Sequence, residues 1–207
     1  YTGNINNWLV WYRSFDNNDA RDDSNNWHSG TLNGGVSFTW GRFWAAAKFD
    51  GVDDYISIFP WPTLSGTWDE TVSLRIKTNN HLANYMFSAH AGSFNAYYKR
   101  FFTDYLNIID VDNTYYWLYY NKYVRDGVWH HMAYTKSWSN ISIYIDGKLE
   151  DSDTISAELR VMNGYYIWRA CSWDCDPSKV FSWSIDDVRI YNRALSSWDI
   201  WYLYNMS

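Results

Sequence analysis

The sequence predicts an all-β protein, a two-sheet antiparallel sandwich with a short C-terminal helix, and three observations carry that prediction. Segments alternating apolar and polar residues recur along the chain, turn-forming residues bound them, and no long segment repeats at the helical period of 3.6. About a dozen short strands joined by polar turns suit a sandwich better than alternating strands and helices.

Taken in order, the expected strands are Tyr55–Phe59, Thr71–Lys77, Tyr85–Ala89, Ala96–Phe102, Tyr105–Asp110, Thr114–Tyr120, Tyr165–Arg169 and Phe181–Tyr191. Between the sixth and seventh lies a meander. GVWHHMAYTK reads as a strand ending at a Ser137–Asn140 turn, and Ile141, Ile143 and Ile145 then alternate into Asp146-Gly147, the dipeptide favoured by a two-residue type I′ turn. The last element reads as a helix, with Ser196 as its cap, Asp199 at the third helical position, and Trp198, Trp201, Leu203 and Tyr204 supplying apolar contacts.

The 207 residues show no Pro/Gly/Ser-rich linker, so residues 1–207 read as a single domain, long enough to hide roughly 70% of its unfolded surface. The formal charge is 17 − 23 = −6 with no basic cluster, which argues against nucleic acid as a partner. No apolar run approaches the roughly 20 residues of a membrane span. The chain opens at Tyr1 without a Met or a leader, which fits a processed chain or an excised domain. Aromatic residues are abundant: 15 Trp, 19 Tyr and 10 Phe, a surplus that implies rings at the surface as well as in the core.

Cys171 and Cys175 fit a small local disulfide in an oxidising compartment, worth about 2 kcal/mol, or else two free thiols in a loop. The triplets Asn140-Ile-Ser and Asn205-Met-Ser are possible N-glycosylation sites of an exported protein.

AAAKFDGVDDYISI, GVWHHMAYTKSWSNISIYIDGKLE and FSWSIDDVRIYNRALSSWDIWYLYN, in that order, resemble three signature blocks of laminin-G-like domains of the concanavalin A-like lectin/glucanase superfamily. The opening WLVWYRSFDNNDARDDSNNWHSGTLNGGVSF resembles that family's first strand, Asp/Asn-rich loop and Gly-turn. The resemblance covers nearly the whole chain. It implies a jelly-roll with one convex and one concave sheet, binding through the concave face or edge loops, and leaves the ligand open because members include lectin-like modules, adhesion domains and some hydrolases.

Retaining glucanases of this fold use a Glu-x-Asp-x-(x)-Glu strand that places two carboxylates about 5 Å apart. The nearest acidic stretch here, Glu150–Asp153, follows a hairpin turn, lacks the second Glu and reads as a solvated strand edge. No catalytic residue is assigned, and the protein reads as a non-enzyme. His130 and His131 are strand neighbours whose side chains point to opposite faces, so they do not suit one metal ion, and the resemblance makes both structural.

Asp50, Gly51, Asp53 and Asp54 gather ahead of a strand, and Asp186-Asp187 sits in a similar place in the last block. Aspartate capping its own turn accounts for much of this pattern. The second reading is one structural Ca²⁺ drawing on Asp50, Asp53, Asp186 and Asp187, since that ion takes six to eight oxygens; Asp16, Asp19, Asp22 and Asp23 could contribute as well.

On a strand, Tyr115, Trp117 and Tyr119 share one face and Tyr116, Leu118 and Tyr120 the other. One set fills the core, and the other, expected to be Tyr115, Trp117 and Tyr119, offers flat rings to sugar or to another subunit. The alternative is a large sandwich that uses aromatics where others use Leu. The expectation is therefore an extracellular or cell-surface, secreted, non-enzymatic recognition or adhesion domain binding a glycan or an extracellular protein. The alternative is a structural subunit that self-assembles as a homo-oligomer or polymer into a filament, coat or surface layer, with rings such as Trp8, Trp11, Trp198 and Trp201 crossing the boundary. A hydrolase ranks third.

Overall fold

In the computed structural model of the chain, which describes residues 4–24, 26, 28–58, 69–79, 86–90, 97–155, 158–159, 164–167 and 183–206, period-2 alternation becomes two facing antiparallel sheets and one helix. The strands begin with β1 (Leu9–Arg13), β2 (Gly30–Asn33), β3 (Ser37–Trp40), β4 (Ala45–Phe49) and β5 (Tyr55–Ile58). Next come β6 (Glu70–Thr78), β7 (Phe87–His90), β8 (Tyr97–Phe101), β9 (Tyr105–Ile109) and β10 (Tyr115–Tyr119). The remainder are β11 (Trp129–Ser137), β12 (Asn140–Ile145), β13 (Lys148–Thr154), β14 (Gly164–Ile167) and β15 (Trp183–Tyr191), followed by helix α1 (Ser197–Asn205).

The first sheet runs β13-β12-β11-β6-β15-β4-β3, with β1 also paired to β15; the second runs β10-β9-β8-β7-β14-β5-β2. Alternation decides what lies between them. From the first sheet, Val72, Leu74, Ile76, Met132, Ile141, Ile143, Ile185 and Ile190 enter one core cluster with Phe87, Phe101, Leu106, Ile108, Leu118 and Ile167 of the second. Burying each such side chain stabilises the fold by roughly 1.5–3 kcal/mol, which is why neither strand order nor register can slip without turning this set outward.

The expected meander is present, with β11 paired to β12 and β12 to β13. Asp146 (φ 51°) and Gly147 (φ 76°) both occupy the left-handed region, as a type I′ turn requires. A Cβ on Gly147 would lie 3.2 Å from Tyr204 and 3.3 Å from the Trp201 Cα, so the turn is also pressed against the helix. Helix α1 starts at a capping box: the Ser196 hydroxyl accepts from Asp199 N and the Asp199 carboxylate accepts from Ser196 N. Ile200 and Leu203 dock on the outer face of the first sheet with Ala133, Tyr144 and Tyr191, forming a smaller second core.

One sandwich edge is closed by carboxylates. Asp151 Oδ2 accepts from Tyr119 N at 2.9 Å and Glu150 Oε2 from Asn121 N at 3.2 Å, tying β13 of one sheet to β10 and its continuation in the other. Glu150–Asp153, expected as a solvated edge, thus supplies two acceptors to backbone N–H groups of a strand that, among the described residues, has no strand partner on that side. The neighbouring histidines do point to opposite faces. His130 bonds Asp146 through Nδ1 (2.8 Å) and Asp126 through Nε2 (3.1 Å), whereas His131 Nε2 meets Ser73 Oγ at 2.8 Å. Burial alone would lower the His130 pKa, but the two carboxylates outweigh it and hold it above the usual value.

Burial, with Arg75 and Arg189 nearby, pushes the His131 pKa down to about 3. A histidine held neutral in the folded state contributes stability above its unfolded pKa of about 6.5, and that contribution drains away as pH falls toward 3. The expected outcome is that wild type loses about 2.5 kcal/mol more than His131→Gln between pH 7 and pH 4.5, about two pKa units of proton linkage, when urea unfolding is followed at both pH values. Every other titrating group is common to the two proteins and cancels, so parallel stability curves would remove His131 from the acid response.

Candidate functional site

Strand β10 is an edge strand paired with β9 in the register Tyr115↔Ile109, Trp117↔Asn107 and Tyr119↔Tyr105. Its pleat separates the aromatics as the spacing requires. Tyr116, Leu118 and Tyr120 are buried toward the first sheet, while Tyr115 (55% exposed), Trp117 (42%) and Tyr119 (59%) stand on the opposite, outer face. The Tyr115 and Trp117 rings are nearly parallel, 15° apart with centroids 6.3 Å apart. Tyr105, which the sequence reading did not single out, joins them from β9: its ring centroid lies 5.2 Å from Trp117 and 5.9 Å from Tyr119, and it packs on Phe102 at 4.1 Å. Alternation in Tyr105-Leu106-Asn107 already put Tyr105 and Asn107 on one face, which was the available signal. Asn107 donates from Nδ2 to Tyr116 O at 3.2 Å, fixing the strand pair beneath the rings. The result is a stripe of flat, partly apolar surfaces carrying phenol and indole donors on a backbone held by ladder bonds.

The aspartates of residues 50–54 lie where the chain crosses from β4 in the first sheet to β5 in the second. One carboxylate oxygen from each of Asp50, Asp53 and Asp54 lies within 4.8 Å of the others. Asp54 is buried and both its oxygens are engaged, Oδ1 by Gly35 N and Oδ2 by Asp50 N, while Asp50 Oδ1 caps Val52 N. Gly34, at φ 72°, leaves no room for a Cβ, which would sit 2.6 Å from Asp53 O. Asp54 therefore pins the β2–β3 turn to the crossover. Three carboxylates are a donor set of the type Ca²⁺ uses, with spare lone pairs on each oxygen.

Asp186 and Asp187 are not part of that group. Asp187 Oδ2 accepts from Arg75 Nε (3.2 Å), and Oδ1 from the Tyr12 hydroxyl (2.9 Å) and Arg189 Nη2 (3.1 Å). Asp186 Oδ2 accepts from Arg42 N at 2.8 Å. Burial first, and the adjacent Asp187 charge second, push the Asp186 pKa up to about 7. Asp19 and Asp23 of the first loop ion-pair with Arg13 instead.

The remaining sites separate clearly. Trp11 belongs to the core: it is fully buried, and its Nε1 donates to His28 O at 2.8 Å, which corrects its placement among boundary-crossing rings. Trp8, Trp198 and Trp201 are exposed, and Trp198 stacks nearly parallel on Tyr202 at 5.6 Å. Asn140 opens β12 and its Oδ1 accepts from Thr154 Oγ1 at 3.3 Å; Asn205 donates to Trp201 O at 2.7 Å. Both asparagines are exposed. Cys171 and Cys175 lie outside the described residues. Among the described residues no helix is long and apolar enough to cross a membrane.

Comparison with known proteins assigns the chain to a family. Residues 50–200 match the model of the laminin G type described as the concanavalin A-like lectin/glucanases superfamily. No curated protein sequence matches the chain. Among solved structures, the binding domain of Paraclostridial Mosquitocidal Protein 1 is similar with a TM-score of 0.80 at 18% identity, over 98% of this chain and 53% of that one. The ligand binding domain of botulinum neurotoxin serotype D, in complex with N-acetylneuraminic acid, gives 0.77 at 18%, over 97% and 51%. Domain 4 of an extracellular arabinanase from Geobacillus stearothermophilus, in complex with arabinotriose, gives 0.72 at 22%, over 95% and 98%. The chain thus spans about half of the toxin binding domains and nearly all of the arabinanase domain. With a family model covering most of its length and a jelly-roll of two antiparallel sheets, the chain belongs to the concanavalin A-like lectin/glucanase superfamily as a laminin-G-type domain.

Proposed function

We propose that this is a non-enzymatic glycan-recognition domain working outside the cell, and that Tyr105, Tyr115, Trp117 and Tyr119 form its sugar-binding stripe. The observation that carries the reading is the near-parallel, exposed Tyr115–Trp117 pair on a rigid strand, continued by Tyr105 and Tyr119. Aromatic faces pack against the C–H faces of sugar rings while phenol and indole groups bond hydroxyls, so affinity needs neither charge nor a deep cavity. A strand-borne site also loses little conformational freedom on binding. The arabinotriose complex of the arabinanase domain and the N-acetylneuraminic acid complex of the toxin domain support saccharide as the ligand class. The use of Glu150, Asp151 and Asp153 as backbone acceptors supports a binding role over hydrolysis.

The test is isothermal titration of arabinan and a panel of neutral polysaccharides. Trp117→Ala is expected to weaken binding at least tenfold, about 1.4 kcal/mol, while Trp138→Ala, 85% exposed at the β11–β12 turn, leaves it unchanged. Loss in both variants, or in neither, would take the site away from β10.

A second reading, self-association into a coat or filament, rests on the exposed Trp198, Trp201 and Tyr202 of α1. Buried interface rings commonly cost 2 kcal/mol or more on truncation. Light scattering is expected to show a species several times the 24.6 kDa chain that Trp201→Ser reduces; a monomer at high concentration removes this reading.

Calcium at Asp50, Asp53 and Asp54 is proposed as a stabiliser of the β4–β5 crossover. A hundred-fold excess over Kd would add about 2.7 kcal/mol, so melting in Ca²⁺ is expected to exceed melting in chelator, and Asp53→Asn to abolish the difference. Coincident curves for metal-free wild type leave the aspartates as turn caps alone.

A further inference from the structure

Where α1 docks on the first sheet, a cleft of about 360 Å³ opens between the β3–β4 turn, the start of β11 and the last turn of α1. Arg42, Arg75, Trp129, Tyr204 and Asn205 line it. Its size falls within the range of small-ligand pockets, roughly 300–1,000 Å³.

The cleft is built rather than incidental. A Cβ on Gly41 would lie 2.5 Å from Asp186 Oδ2 and 2.6 Å from Ala45 O, so only glycine lets the turn close down on Asp186. Arg42 N then donates to that carboxylate, and Gly41 N to Trp44 O at 3.1 Å. This brings the Phe43 ring to 5.3 Å from the Arg75 guanidinium and 5.7 Å from that of Arg42. Arg75 is fixed on the other side: Nε donates to Asp187, and Nη2 to the carbonyls of Leu203 (2.9 Å), Tyr204 (3.0 Å) and Met206 (3.4 Å). The negative end of the helix is thereby neutralised before a ligand arrives.

Charge identifies the ligand class. Three guanidiniums, Arg42, Arg75 and Arg189, stand with three carboxylates: Asp187, shared by Arg75 and Arg189, Asp186, and Asp16, whose Oδ1 accepts from Ala45 N at 3.2 Å. Asp186, with its pKa near 7, contributes only part of a charge at neutral pH. Arg42 takes part in no ion pair among the described residues, and its side chain is exposed. One guanidinium left without a carboxylate at the cleft suits a single carboxylate, and the chain's formal charge of −6 opposes polyanions. Guanidinium forks match carboxylates bidentately, and Trp129 and Tyr204 beside them supply ring faces for a pyranose.

The geometry points to a second saccharide site, separate from the β10 stripe and independent of it, in which Arg42 receives the carboxylate of an acidic sugar whose ring packs between Trp129 and Tyr204. The same chemistry is carried by hexuronates and by sialic acids.

Titration of the whole chain with trigalacturonate and with sialyllactose separates the two sources, and their neutral counterparts, methyl-esterified trigalacturonate and lactose, isolate the carboxylate. At least one acidic probe is expected to bind, with its neutral counterpart at least tenfold weaker. Arg42→Gln should lower affinity for the acidic probe at least tenfold, Arg42→Lys by less, and Trp117→Ala not at all. Neutral-polysaccharide binding at the stripe should survive Arg42→Gln, so the two sites fail separately. The inference is overturned if neither acid sugar binds, if the neutral counterparts bind as well, if Arg42→Gln is silent, or if inorganic phosphate at equal concentration displaces the sugar, which would mark a bare anion contact.

Discussion

The structure depends most on Asp187. Its carboxylate is buried on the outer face of the first sheet and joins Arg75 of β6, Arg189 of β15 and Tyr12 of β1. Asp187 itself sits at φ 52°, where the β6–β15 ladder shifts register between Asp186 and Arg189. The irregularity is what turns two consecutive acids onto one side of the sheet, one toward Arg42 and one toward Arg75. Removing one member of such a set leaves an uncompensated buried charge, a loss of about 3–5 kcal/mol. Through Arg75 the same network reaches the carbonyls that end α1, so helix docking, strand register and the shape of the Arg42 cleft share one origin.

Much of the fold was legible because its signals are local. Alternation in Ile141-Ser-Ile-Tyr-Ile, the Asp146-Gly147 pair and the Ser196/Asp199 spacing each specify a conformation within a few residues, and the structure has all three. The split of β10 into a buried and an exposed face was legible for the same reason: period 2 needs no partner to be read. What the sequence hides is which distant group satisfies a polar side chain. Asp50–Asp54 and Asp186-Asp187 look alike as strings, yet one set pins a sheet-to-sheet crossover to Gly35 and the other neutralises guanidiniums. Glu150 and Asp151 looked solvated because their acceptors' partners, Tyr119 N and Asn121 N, lie some 30 residues earlier on the other sheet. Trp11 carried no mark to distinguish it from Trp8, since burial of one and exposure of the other follow from the pairing of β1 with β15.

The aromatic surplus also divides by face. Inside, Phe101 meets Phe87 and Tyr134 edge-on, at 84° and 89°, the arrangement favoured by ring quadrupoles in a packed core. Outside, Tyr115 with Trp117 and Trp198 with Tyr202 lie nearly parallel, at 15° and 14°. Large aromatics thus fall into two sets in one chain: those that fill the space between the sheets, and those whose wide ring surfaces stand in water, the set on which the proposed function rests.

Closure of the β10 edge connects these points. An edge strand with free N–H groups would be open to pairing with another chain, and Asp151 and Glu150 occupy two of those donors from the opposite sheet. Because the acceptors are side chains rather than a further strand, β10 stays at the margin among the described residues, and Tyr115, Trp117 and Tyr119 on its outer face are exposed. The acids that discourage edge-to-edge aggregation therefore hold Tyr119 in line with Trp117 and Tyr115. In this fold the closure of the edge and the alignment of the ring stripe are one interaction, and a carboxylate pair that the sequence marks as a solvated strand edge accepts from the backbone of the opposite sheet.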